Sequence, residues 1–402
     1  MKDRLHPPPC RDNSPAAAVR LPPFAGEAFP ASVDQLFARA LTTRTFSGAS
    51  LLVARPDLIL FHKTWGHTLH RGVAVDSRTV FDLASLTKPL VTAPLCMRAV
   101  AEGKFALDDP LLSFFPSGLM PTATKTITIR QLLNHSSGLP AYEPFYRELI
   151  LLEAARRKET LLARILQSPL QSRPGTASCY SDLGFMLLAM VLEQVYDAPL
   201  DRLTTHFLPQ AFDGAPGFCR LNVPTDATIC PERLTAVAGI FAATENCPWR
   251  KRLLVGEVHD ENAYCLGGVA GHAGLFGTAH GIFRLLAFLW KAYRGSPEHP
   301  PWTTEVVREF WTRSAAVADS SWMLGFDTPS ARNSSAGRYF SALSTGHLGF
   351  TGTSFWFDLN REILIILLTN RVHPTRENER LKDFRPLVHD LVMETYHAKA
   401  DC

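Results

Sequence analysis

The chain has 402 residues, 46% of them hydrophobic and 20% charged, enough to bury a large core in one large or two interleaved domains. Its 41 basic and 38 acidic residues leave a net charge of +3, and the longest basic cluster is Arg250-Lys251-Arg252, which argues against nucleic-acid binding. No apolar run is long enough to span a bilayer and the stretch Met1 to Pro9 lacks the apolar core of a secretory signal, so a cytoplasmic protein without a membrane partner is expected.

Residues 1–30 are rich in Pro and Ala without a sustained period and read as a flexible lead. Gly48 to Ala54 and Leu58 to Lys63, separated by Arg55-Pro56-Asp57, read as a β-hairpin. After the short run Thr79 to Ala84, the spacing of Leu90, Val91, Leu95, Met97 and Val100 predicts a helix from about Leu86, with Ser85 on its first turn. Helical patterns dominate from about 105 to 330, for example Glu159 to Leu166 and Ile282 to Leu289. Thr353 to Asp358, a turn at Leu359-Asn360-Arg361, and Ile363 to Leu368 read as a second hairpin, with His347 near the start of its first strand, and Leu387 to Val392 as a helix. The expected fold is α/β of the α+β type: an antiparallel sheet flanked by helices, its parts at about 31–104 and 331–402, with a mostly helical portion at about 105–330 inserted between them. The cleft between sheet and insertion is the expected site.

On a helix, residues three apart share a face, which brings Lys88 Nζ within reach of Ser85 Oγ. A serine hydroxyl is a poor nucleophile until a neighbour takes its proton, and a desolvated lysine held neutral can do so. Ser-x-x-Lys alone is more often the mark of a solvated lysine one turn from a capping serine. Two distant segments supply candidate partners: Tyr180, at a loop-to-helix junction ahead of Leu183 to Val191, and His347-Leu348-Gly349. Singly, each is more often a packed ring or a surface imidazole. The eight cysteines, at 10, 96, 179, 219, 230, 247, 265 and 402, show no close pairing and read as mostly free thiols.

Taken in order, Ser85-Leu86-Thr87-Lys88, Tyr180-Ser181-Asp182 and His347-Leu348-Gly349 resemble the three motifs of the class C β-lactamase and penicillin-binding-protein-like serine hydrolases. The phrases Leu107-Asp108-Asp109-Pro110, Ile129 to Pro140 and Gly267 to Phe276 are also similar to that family, and the resemblance runs from about residue 31 to the C-terminus. It implies a β-lactamase/transpeptidase-like fold and an acyl-enzyme mechanism. Ser85 is then the nucleophile, and Lys88 with Tyr180 takes its proton. Asp182, His347, Gly349 and Phe350 contact substrate, with the N–H groups of Ser85 and Phe350 holding the oxyanion. Two departures bear on substrate. Asp182 stands where the family often has Asn and, when ionised, only accepts hydrogen bonds. His347 replaces a permanent cation by a group expected to titrate near neutrality.

His259-Asp260-Glu261-Asn262 and His272 form a further constellation. A similar His-Asp-Glu-Asn-Ala run recurs in a subset of these hydrolases, which implies a rim role for His259, Asp260, Asn262 and His272. The alternative is a hydrogen-bonded loop. The spacing matches no compact zinc pattern and the chemistry needs neither metal nor cofactor. The expected activity is hydrolysis of a small ester or amide. The alternatives are a D-amino-acid peptidase, amidase or β-lactamase acting on cell-wall-type substrates, or an acyl-binding sensor without turnover. Oligomeric state stays open.

Overall fold

Two stretches rich in β-branched and aromatic residues, one near each end of the chain, build the central sheet. Gly48–Arg55 (β1) and Leu58–Gly66 (β2) pair as a hairpin; Ser344–Leu348 (β3), Ser354–Asp358 (β4) and Ile363–Thr369 (β5) complete it. The order is β2-β1-β5-β4-β3, antiparallel throughout. The two ends of the chain therefore meet between β1 and β5, where Leu51 lies opposite Leu367. The computed structural model describes residues 28–208, 217–221, 241–296, 302–314 and 317–398. Most of the expected lead, and the expected thiols Cys10, Cys230 and Cys402, lie outside the described residues; the last three lead residues begin the helix Ala28–Thr42. Cys96, Cys179, Cys247 and Cys265 are free.

β5 is buried along its whole length, as its unbroken apolar run requires of a strand covered on both faces. Period-two alternation divides its side chains between two layers. Leu51, Val53, Ile365 and Leu367 share a core with Phe37 of Ala28–Thr42 and with Phe384 and Val388 of the final helix Leu381–Ala398. Leu52, Leu364, Ile366 and Leu368 join the larger core of the other layer, which includes Leu286 and Leu289 of Ala279–Tyr293. Between the two parts of the sheet the regular elements among the described residues are mainly helices, with short strands such as Phe81–Asp82 and Leu275–Gly277 paired to each other.

Two local expectations are corrected. His347 does not lie on the first strand of the C-terminal hairpin. It sits on the separate edge strand β3, opposite Phe355, behind a tight turn in which Gly352 takes φ 109°. Ser344-Thr345-Gly346 carries little strand propensity, so β3 is set by pairing with β4 rather than by its own pattern. The helix expected from Leu86 is three pieces: a 3₁₀ turn at Ala84–Leu86, a π turn at Lys88–Thr92 and an α-helix at Ala93–Ala101. Pro89, within the π turn, and Pro94, just past its end, lack backbone donors, and the ladder widens so that Ala93 N–H reaches Lys88 C=O.

Candidate functional site

The backbone around Ser85 is held under strain. Ala84 takes φ 47°, a left-handed conformation that costs a non-glycine residue on the order of 1–2 kcal/mol. The buried Asp82 carboxylate accepts from Ala84 N–H at 2.9 Å and from His259 N–H at 2.7 Å, Leu83 N–H donates to Leu275 C=O at 2.9 Å, and Thr87 Oγ1 donates to Ala84 C=O at 2.6 Å. These bonds turn the half-buried Ser85 hydroxyl into a cavity of about 610 Å3.

Lys88 is fully buried behind it. Its Nζ donates to Ser85 Oγ at 3.2 Å, to Asp182 Oδ1 at 2.6 Å and to the His272 carbonyl at 3.2 Å, so all three ammonium hydrogens have acceptors. The rings of Tyr180 and Phe185 lie 4.8 and 5.6 Å from the nitrogen. Burial alone would pull the amine down, but the Asp182 carboxylate and Tyr180 outweigh it and the pKa rises above the ordinary lysine value. The pairing with Asp182 thus favours the ammonium over the neutral amine that a lysine base requires. Asp182 opens the helix Asp182–Tyr196, whose N-terminal dipole favours its negative charge. Burial pushes the Tyr180 phenol up, opposed by the positive charge of Lys88 and by hydrogen bonding from Lys88 and Ser85, with a net rise.

The turn between β3 and β4 closes the opposite wall. Thr351 Oγ1 donates to Asp82 C=O at 2.6 Å and Thr353 Oγ1 to Leu83 C=O at 3.1 Å, which clamps it against the Ser85 turn. A Cβ on Gly349 would come within 2.6 Å of Leu83 O, so only glycine allows this approach. Phe350 lines the cavity, its carbonyl accepting from Arg371 Nε at 2.8 Å. His347 also lines the cavity, with Nδ1 2.8 Å from the Leu348 carbonyl. Nδ1 is thus the protonated nitrogen and Nε2 a buried acceptor without a partner. Burial, followed by repulsion from Lys88, drops its pKa to about 3. This burial disfavours the titration near neutrality expected from the sequence and favours the neutral imidazole.

Of the four rim residues, His259, Asp260 and His272 line the cavity. Asn262 does not. It is fully buried, accepting from Tyr146 N–H at 2.8 Å and donating to Glu143 C=O at 2.9 Å, and so follows the hydrogen-bonded-loop alternative. His259 Nε2 lies 3.1 Å from Glu245, which Arg376 also grips at 2.6 Å while reaching Glu261 at 2.6 Å. His272 Nε2 lies 3.0 Å from Asp260 Oδ1. Among the described residues no group of three or more His, Cys, Asp and Glu is placed to hold a metal ion.

Sequence reading missed Tyr142, Trp322, Asp327, Arg371 and Arg385, all of which line the cavity. Trp322 packs 5.4 Å from the Tyr180 ring and 5.6 Å from the His347 ring. Burial lifts the Asp327 carboxyl to about 6. Arg371 stands two residues past the end of β5; a charged residue just after a strong strand signal was the usable cue.

A model of the beta-lactamase family matches residues 33–209 and 225–390. The chain belongs to the beta-lactamase family. Among its relatives is an N-acetylmuramyl-L-alanine amidase of Bacillus subtilis, strain 168, 29% identical over 371 residues, covering 85% of this chain and 80% of the relative. A protein of Escherichia coli K12 that bears a provisional D-alanyl-D-alanine carboxypeptidase name is 28% identical over 354 residues, 82% of this chain and 79% of its own. The solved structure of EstCE1, described as a hydrolase with promiscuous acyltransferase activity, superposes with a TM-score of 0.65 at 19% identity, covering 89% of this chain and 98% of that one. The β-lactamase/transpeptidase-like fold, an antiparallel sheet flanked by helices, is thus the fold of this family member, and its class is hydrolase.

Proposed function

We propose that the protein is a serine hydrolase that works through an acyl-enzyme on Ser85 and cleaves a small ester or amide. One observation carries the reading: a buried ammonium donates to the hydroxyl of an accessible serine at 3.2 Å, inside the cavity that a substrate would enter. Because Lys88 is charged, its part is to stabilise negative charge developing on Ser85 Oγ, and the proton moves elsewhere. Tyr180 acts as a neutral relay: its oxygen accepts the Ser85 proton as its own proton passes to the leaving group, so no net charge is created on the phenol. The N–H groups of Ser85 and Phe350, on facing walls of the cavity, hold the oxyanion. Incubation with p-nitrophenyl butyrate should give a burst of about one nitrophenol per chain and an acyl adduct on the Ser85 peptide by mass spectrometry. Turnover without a burst and without an adduct in acid-quenched samples would contradict the covalent route. A burst with no subsequent turnover would turn the reading into that of an acyl-binding sensor.

A second reading, an amidase or peptidase acting on cell-wall-type substrates, draws support from one feature of the same cavity. Arg385 is only 6% exposed; it donates to Thr353 C=O at 3.4 Å and its Nε has no acceptor. Arg371 beside it donates to the carbonyls of Phe350, Arg376 and Asn378. The nearby Glu379 is instead paired to Lys382 at 2.7 Å. Burial and then Arg371 lower the Arg385 pKa to about 10, still protonated at neutral pH. A buried cation without a counter-ion is costly, and a substrate carboxylate would relieve that cost. The amidase and carboxypeptidase names of the relatives agree with such a substrate. The reading predicts that kcat/KM for a muramyl peptide with a free carboxylate exceeds that for its carboxamide at least tenfold, and that Arg385→Gln removes this difference.

A further inference from the structure

Beside Ser85 stands a second acid–base pair that the acylation step does not use. His272 is 1% exposed, and its Nε2 faces Asp260 Oδ1 at 3.0 Å. The Asp260 side chain is fixed in turn, since Oδ1 also accepts from Ala263 N–H at 2.7 Å. An ionised carboxylate can only accept, so Nε2 carries a proton, and in the neutral imidazole Nδ1 is the lone pair. Among the described residues that Nδ1 is buried and has no partner, although both members of the pair line the cavity that Ser85 enters. The backbone is held on each side, by Thr92 Oγ1 on Gly271 C=O at 2.6 Å and by Lys88 Nζ on His272 C=O at 3.2 Å. The same Nζ is 3.2 Å from Ser85 Oγ, so one ammonium ties the His272 backbone to the serine, and both residues line one cavity.

A buried acceptor without a donor in a polar cavity calls for a water. We infer that Asp260–His272 is the general base of the deacylation step, His272 Nδ1 taking the proton of the attacking water and Asp260 positioning the imidazole. This rests on the acyl-enzyme reading above. Of the other groups near Ser85, Lys88 is paired to Asp182 and His347 has no carboxylate behind it, which leaves Tyr180, the relay of the acylation step, as the competing base. In the step, the water O–H bond breaks and its proton goes to Nδ1 while the oxygen bonds to the acyl carbon. The tetrahedral intermediate then collapses with cleavage of the Oγ–C bond, and Oγ takes a proton from the Lys88 ammonium. The acid leaves, and the His272 proton passes through solvent to the Lys88 amine, restoring the resting site.

The test separates the two chemical steps with p-nitrophenyl acetate in stopped flow, on wild type, His272→Gln, His272→Ala and Asp260→Asn. The inference predicts that in both His272 variants the burst rate and amplitude stay within about twofold of wild type while steady-state turnover falls by a factor on the order of 10² to 10⁴, the range for a lost general base. The Ser85 acyl adduct should then accumulate, and imidazole in the buffer should restore turnover to His272→Ala. Asp260→Asn should show the same split with a smaller loss. If turnover in His272→Gln and His272→Ala matched wild type, or if burst and turnover fell together in a folded variant, the assignment would be overturned. A wild type that never acylates Ser85 would instead overturn the reading on which it rests, so the two failures are distinguishable.

Discussion

Replacing Asp182 by Asn leaves the most deeply buried lysine of the site without its counter-ion. Lys88 is 0% exposed and the Asp182 side chain 17%, with 2.6 Å between Nζ and Oδ1. At an effective dielectric constant of 20 the pair attracts by about 6 kcal/mol. Part of this is offset by the desolvation of both charges, and removing one partner of such a pair typically costs about 3–5 kcal/mol. In wild type the folded pKa of Lys88 is raised, so its contribution is fully present below the unfolded value of about 10.4 and is lost only as pH rises through the folded value. In Asp182→Asn the burial that lowers the pKa is no longer opposed by the carboxylate, and the folded value drops below the unfolded one. Between those two values the unfolded chain binds one more proton than the folded chain, so the variant gains stability relative to wild type with rising pH, by about 1.4 kcal/mol per unit. Thermal unfolding of both proteins at steps from pH 7 to 9.5 reads this directly. Asp182→Asn should melt several degrees lower at pH 7, and the gap should shrink as pH rises. A gap that stays constant with pH, or no gap at all, would refute the view that the carboxylate keeps Lys88 charged.

Three further outcomes are expected. Burial lowers His62 and His373 to about 4 and His347 and His389 to about 3, so the folded chain resists protons that the unfolded chain binds; Tm should fall steeply as pH drops from 6.5 towards 4, and a flat profile would contradict these burials. An ionisation near pH 6 in kcat/KM should belong to Asp327 and vanish in Asp327→Asn while surviving in His347→Gln; the reverse pattern would show that His347 titrates after all. Because Asp182 accepts a hydrogen bond where an amide-binding Asn would donate one, p-nitrophenyl acetate or butyrate should be hydrolysed with a higher kcat/KM than a chromogenic cephalosporin, and equality would favour a β-lactamase.

The sheet was legible at β1, β2, β4 and β5 because their runs are apolar and bounded by turn residues. β3 was not, since a Ser-Thr-Gly edge strand owes its place to its neighbour. Ser85, Lys88, Tyr180 and His347 were legible because three short motifs in order constrain one another. Their charge states were not: a Lys–Asp contact across 94 positions and the burial of His347 arise only when the helical portion closes on the sheet. For the same reason the His272–Asp260 contact appeared in the sequence as a run of polar residues, with nothing to show which of its members faced the cavity. Arg371 and Arg385 went unnoticed because an arginine reads as surface until its place in the cavity wall is seen.

The central claim is that Ser85 is the nucleophile, and the most direct measurement is active-site labelling with a fluorophosphonate followed by peptide mapping. Wild type should take up about one equivalent, located on Ser85. Ser85→Ala should take up none, while His272→Gln labels at close to the wild-type rate because its change lies after acylation. Labelling that persists unchanged in Ser85→Ala, or that maps to another residue in wild type, would contradict the account.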